Sequence, residues 1–155
     1  IALHIRQCPV CSANMHPQKR LKAALKDYRV GAPMHRIGID VLGPLPTSNQ
    51  GNTCLLVVGD YFTRYIEAYP MTDQQAETTA NKLVLEFISR FGVPYEIHSD
   101  QGRNFESHLF QEICQLLEIK KTRSTPYRPQ SNGLIERFNR TLGKMMPQYH
   151  RYEKM

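Results

Sequence analysis

Apolar and polar residues change their spacing several times along the chain, and each change marks an element. Arg36 to Val41 alternates and reads as a strand, which Gly43-Pro44-Leu45-Pro46 then breaks. After a turn at Gln50-Gly51-Asn52, Cys54 to Val58 is a continuous apolar run, the pattern of a central strand buried on both faces. Tyr65 to Tyr69 reads as a third strand. Thr72-Asp73-Gln74-Gln75 has the form of a capping box. Ala76, Ala80, Leu83, Val84, Phe87, Ile88 and Phe91 then recur at helical spacing until Gly92 and Pro94 stop them. Tyr95 to His98 is a short strand leading to Asp100. Phe110, Ile113, Cys114 and Leu117 mark a second helix after Ser107, and Ile119 to Thr125 a last strand. A loop of Pro, Gln, Ser, Asn and Gly precedes a final stripe, Ile135, Phe138, Leu142 and Met145, which Pro147 is expected to interrupt. Three strands, helix, strand, helix, strand, helix is the order of an α/β domain.

Length and composition narrow the class. The 155 residues suffice for one domain of ordinary size, and 41% hydrophobic with 22% charged residues is a globular balance. No apolar run approaches the ~20 residues of a membrane-spanning helix, so no membrane partner is expected. The chain starts at Ile1 with neither an initiator methionine nor a secretory pattern, and it reads as a piece of something longer. Residues 1–34, basic and ending near Gly31-Ala32-Pro33, read as the remnant of a preceding module plus a linker; 35–146 as the main domain; 147–155 as a tail. Four cysteines offer no disulfide framework. Cys54 and Cys114 have apolar surroundings that suit buried thiols, and a reducing, intracellular setting is the simplest fit.

Charge is unevenly placed. The net charge is +6, yet residues 1–36 carry seven Lys or Arg against Asp27 alone, and residues 120–144 carry seven against Glu136 alone. The stretch between them is acidic. Two basic segments that bracket an acidic middle suit a polyanion approaching a site where bound cations cancel the local negative charge. Basic runs are usually solvated faces. The presence of Glu136 inside the second run favours nucleic acid.

The chemistry concentrates in two phrases, HSDQGRNF around Asp100 and TPYRPQSNGLIERFNRTL around Glu136, with thirty-five residues between the two acids and Asp40 upstream in DVLGPLP. Hard divalent cations take oxygen ligands, and a few converging carboxylates can hold them against phosphate oxygens. With VVGDYFTRYIEAYPM and EFISRFGVPYEIHSDQG, these phrases stand in the order of a known family. From about Cys8 to Met146 the chain resembles the catalytic core of retroviral and retrotransposon integrases, and most resembles those of gypsy-type long-terminal-repeat elements.

The resemblance implies a ribonuclease-H-like fold, a mixed five-stranded sheet flanked by helices. It also implies DNA integration by metal-dependent 3′-end processing and strand transfer, with Asp40, Asp100 and Glu136 as both the catalytic residues and the ligands of two Mg2+ (or Mn2+) ions. Asp40 would bridge both ions and the other two acids would hold one each. The implied partners are element-end and target DNA and further copies of the chain in a homo-oligomer, because two DNA ends are joined together. The substrate implies nuclear action. A catalytically inactive DNA-binding remnant, adopted by a host, is the alternative; a ribonuclease H or cut-and-paste transposase fits the order of the acids but not the GPLP, HSDQG and PYRPQSNG phrases.

Several residues around the acids are DNA-contact candidates. Tyr127, Arg128, Gln130 and Asn132 precede Glu136, and Asn139 and Arg140 lie three and four positions beyond it, on its helical face and within reach of phosphates. Ser131 or Asn132 would equally serve as a helix cap. Asp60 is flanked by apolar residues much as Asp40 is, but the resemblance places no ligand there, and a structural role is assigned. His98 is read as structural or as supporting the site. Tyr61, Phe62 and Tyr65 are read as core and sheet-face aromatics. Cys8 and Cys11 have metal-ligand spacing. In the family such a pair joins an upstream His pair around structural Zn2+. This sequence has no such His pair, His4 and His16 being misplaced for it, so zinc is expected only in a full-length parent.

Overall fold

Alternation in the first strand decides which residues enter the core. The structure, a computed structural model, describes residues 30–124 and 133–152, with side chains to Met145. β1 (Arg36–Leu42) sends Ile37 and Ile39 to one face, both fully buried, and Arg36, Gly38 and Asp40 to the other. β2 (Cys54–Asp60) and β3 (Ile66–Met71) follow as an antiparallel meander, with Asp40 opposite Val57 and Gly38 opposite Gly59. β4 (Glu96–Ser99) lies parallel to β1, and β5 (Lys120–Arg123) parallel to β4. The sheet is mixed and five-stranded, in the order β3-β2-β1-β4-β5. The Cys54 run is an internal strand as expected, although the central position belongs to β1.

One helical layer runs through α1 (Ala76–Lys82), a π-helical segment Leu83–Ile88 and the short α2 (Ser89–Phe91). With α3 (His108–Leu116) it supplies Leu83, Phe87, Phe110 and Cys114, which meet Ile37, Ile39, Leu56, Val58, Ile97 and Phe105 in the principal core. The Ser107 side chain accepts from the Phe110 N–H at 3.2 Å, so α3 starts where the sequence placed it. Cys54 and Cys114 are buried free thiols. On the opposite face lies α4 (Gly133–Tyr152), whose Ile135 is fully buried. A Cβ on Gly59 would stand 2.6 Å from Ile135 Cδ1. The bare backbone at Gly59 is therefore what lets α4 lie close to the sheet. Among the described residues no helix is long and apolar enough to cross a membrane.

Three expectations need correction. Thr72 does not cap α1: the Thr53 N–H binds the Met71 carbonyl and Thr53 Oγ1 the Thr72 carbonyl, which keeps this stretch beside the sheet. The helix starts at Ala76 with Gln75 as its N-cap, and Asp73 Oδ1 accepts from the Gln75 N–H instead. Pro147 does not end α4, which continues to Tyr152 and so crosses the expected 146/147 boundary. A proline removes its own N–H from the ladder and crowds the carbonyl four residues back, a local cost that the flanking turns here bear without the helix ending. Phe62 and Tyr65 are about half exposed rather than core residues, because they follow β2 in a turn outside the packed layers. Tyr65 instead meets Phe91 in a tilted ring contact at 5.7 Å and donates to Glu67.

Candidate active site

Asp40, near the end of β1, lies on the α4 side of the sheet, half-buried, beside the place where parallel β4 ends and delivers Asp100. Its Oδ1 accepts from the Val41 N–H at 2.8 Å and its Oδ2 from Asn139 Nδ2 at 2.9 Å. Burial, followed by the negative charge of Asp100, drives the Asp40 carboxyl up from 3.8 to about 6; Glu136 adds to the rise, while the Val41 and Asn139 hydrogen bonds oppose it. Asp40 therefore lies within the field of both other acids expected to act with it. Asp100 and Glu136 are exposed at the rim. Asp100 Oδ1 accepts from the Gly102 N–H at 2.9 Å.

A cleft of about 380 Å³ opens at this point, lined by Asp40, Asp100, Gln74, Arg103, Asn104 and Phe105 among others. Gln74, Arg103 and Asn104 were given no role from sequence, although Arg103 and Asn104 sit inside the phrase that drew attention to Asp100. A larger cavity of about 490 Å³ lies away from the acids, on the α3–β5 side. Asp40 and Asp100 line the smaller one.

The oxygen donors fit hard divalent cations, and the strain on the Asp40 carboxyl is the kind that a cation relieves. Among the described residues, however, no three His, Cys, Asp or Glu side chains are gathered closely enough to hold an ion as they stand. The carboxyls sense one another without yet converging. A half-buried acid beside two exposed ones keeps part of their mutual repulsion screened by water.

Asn139, expected to reach a DNA phosphate, is bonded here to an acid. Its amide nitrogen holds Asp40, and its Oδ1 is buried with no hydrogen-bond partner among the described residues. Arg140, one position on, is exposed on α4. Tyr127, Arg128, Gln130, Asn132, Cys8 and Cys11 lie outside the described residues, as do most of the 1–34 segment and the loop before α4.

The neighbours of the acids have supporting roles. Asp60 is buried and accepts from the Thr63 N–H at 2.9 Å, the Thr63 hydroxyl at 2.6 Å and the Met34 N–H at 3.3 Å, so it organises a turn. His98 is buried, its Nδ1 paired with Thr122 Oγ1 at 3.0 Å and its Nε2 without a hydrogen-bond partner among the described residues. Burial above all, helped by the positive charge of Arg36, pulls its pKa down to about 4, so it is neutral near pH 7. Glu96, buried on the same face, pairs with Arg36 at 3.4 Å and accepts from the Thr122 hydroxyl at 2.9 Å. Arg36 also lies 5.0 Å from the Tyr61 ring centroid. This network anchors β1, β4 and β5 below the acids.

Comparison with known proteins agrees with the geometry. Residues 31–129 match the family described as Integrase core domain. The chain is 35% identical over 142 residues to the Pro-Pol polyprotein of simian foamy virus type 3 (strain LK3), covering 92% of this chain and 12% of that protein. It is 31% identical over 114 residues to the retrovirus-related Pol polyprotein from transposon 412 of Drosophila melanogaster, covering 74% and 9% respectively. The chain thus spans about a tenth of the length of these polyproteins. Among solved structures, the HTLV-2 integrase catalytic core domain in complex with magnesium superposes with a TM-score of 0.62 at 27% identity, covering 78% of this chain and 74% of that one. A simian T-cell lymphotropic virus intasome superposes with a TM-score of 0.70 at 28% identity over 96% of this chain and 52% of that one. With its ribonuclease-H-like mixed sheet and the family match over residues 31–129, the chain belongs to the integrase core domain family.

Proposed function

We propose that this chain is the catalytic core of a retrotransposon integrase, of the gypsy type, which trims DNA 3′ ends and joins them to target DNA. One observation carries the reading: the half-buried Asp40 carboxyl is pushed up to about 6 by burial and by the charges of Asp100 and Glu136. Acids brought together at such a cost suit a site that gains from cations. The likeness to transposon 412 and the family phrases support the gypsy assignment.

Asp40, Asp100 and Glu136 would hold Mg2+ or Mn2+, as the magnesium complex of the HTLV-2 core suggests by analogy. When bound, such cations activate an attacking oxygen and stabilise the leaving oxygen of an in-line phosphodiester displacement. The chain's own groups prepare this. The Val41 N–H and Asn139 Nδ2 orient the Asp40 carboxylate, and the Gly102 N–H orients that of Asp100. Glu136, exposed in the first turn of α4, would complete the set. In end processing, water attacks the phosphorus and the bond to the 3′ oxygen breaks; in joining, the freed 3′ hydroxyl attacks the phosphorus of a target phosphodiester, whose own bond to the 3′ oxygen breaks and leaves a target 3′ hydroxyl. Tyr127, Arg128, Gln130, Asn132 and Arg140 are assigned to the DNA path, assembly to a homo-oligomer that pairs two ends, and action to the nucleus.

Disintegration, the reversal of joining, tests the reading because it asks only for the core. The chain should release target DNA from a branched substrate in Mg2+ or Mn2+, and Glu136→Gln, which keeps shape but removes charge, should lower the rate by at least about a hundredfold. Undiminished activity in that variant would remove Glu136 from the site. DNA binding without any disintegration by the unaltered chain would favour the inactive remnant.

A further inference from the structure

A closed circuit of hydrogen bonds surrounds the peptide that carries Asp100, and its hub is Lys121 on β5. Lys121 Nζ lies 2.9 Å from Ser99 Oγ and 3.4 Å from Glu106 Oε1. The Ser99 hydroxyl donates to the Asp100 carbonyl at 2.8 Å. The Phe105 and Glu106 N–H groups both donate to the Gly102 carbonyl at 3.0 Å, and the Gly102 N–H donates to Asp100 Oδ1 at 2.9 Å. Lys121 thus grips both ends of the turn from Ser99 to Glu106, one through a buried serine and the other through a carboxylate that also takes Arg123 Nη1 at 3.0 Å.

We propose that Lys121 is a positioning residue, which through Ser99 and Glu106 fixes the Asp100 carboxylate in the orientation needed to share a cation with Asp40. The inference rests on the reading of the three acids as cation ligands. Lys121 pairs with Ile97 across the parallel strands, so its side chain lies on the α3 face of the sheet, opposite Asp40. There it sits over the Phe110 ring at 5.9 Å with only 16% of its side chain exposed. That placement makes it a support and not a contact for DNA phosphate. A mostly buried ammonium is a poor way to gain stability, since an apolar side chain of similar volume often serves as well. What an apolar residue would not supply is a directed bond to Ser99. Groups that orient metal ligands from behind commonly change metal affinity by an order of magnitude or more when removed.

Mn2+ binding to the purified chain, measured by electron paramagnetic resonance without DNA, tests this alongside the Gly102 amide shift. Lys121→Met and Ser99→Ala should each weaken Mn2+ binding about tenfold and move the Gly102 resonance, and the double variant should be no worse than either single one. Single variants that bind Mn2+ like the unaltered chain would overturn the clamp, as would effects that multiply in the double variant. If Lys121→Met does not fold, Ser99→Ala decides alone, because it deletes one buried hydroxyl and nothing else. An unaltered chain that binds no Mn2+ overturns the reading of the three acids and the clamp with it. One that binds while both variants match it overturns the clamp only.

Discussion

Replacing Asp40 by asparagine should stabilise the metal-free protein at pH 8 while abolishing its chemistry. Folding raises the Asp40 carboxyl from 3.8 to about 6, so the folded state resists ionising it. A rise of about two units corresponds to roughly 3 kcal/mol. Water reaching the half-exposed carboxyl screens part of that, and the amide oxygen of Asp40→Asn can satisfy only one of the Val41 and Asn139 donors. A net gain of about 1 kcal/mol remains. The sign follows from linkage: with the folded pKa above the unfolded one, the penalty is complete above pH 6, shrinks as the pH falls through 6, and is gone below about 4. Urea unfolding in chelator across that range, for both proteins, reads the difference directly. Added Mg2+ should raise the stability of the unaltered chain and leave Asp40→Asn unmoved, because only a folded site binds the ion. An asparagine variant less stable at pH 8, or a difference that does not change with pH, would refute the account of Asp40 as a strained acid.

Two further substitutions test the placement of α4. Gly59→Ala puts a methyl 2.6 Å from Ile135 Cδ1 and should cost about 1–3 kcal/mol while weakening Mn2+ binding, as the helix bearing Glu136 moves off the sheet. Thermal unfolding and metal titration check both effects, and an unchanged melting temperature would show that the contact is not close-packed. Arg140→Ala should lower the slope of log DNA affinity against log salt by about one; an unchanged slope would argue against a phosphate contact.

The order of elements was readable along the chain because each segment carries one dominant signal: alternation in β1, an apolar run in β2, a 3.6-residue period in α1 and α3. The three candidate acids stand out along the chain because they lie in phrases shared with the family. What linear order did not contain was the pairing across the sheet. Asn139 looks like a phosphate ligand on its helix, yet lies 2.9 Å from Asp40, ninety-nine residues away, because Gly59 lets α4 settle there. Lys121 looked like one more charge in a basic run, and its role emerged only when parallel pairing set β5 beside β4 and turned its ammonium inward to Ser99. Local spacing governs which face of an element a residue occupies. Which other face it meets depends on long-range packing, and that packing set both the hydrogen bonds around the acids and the rise in the Asp40 pKa.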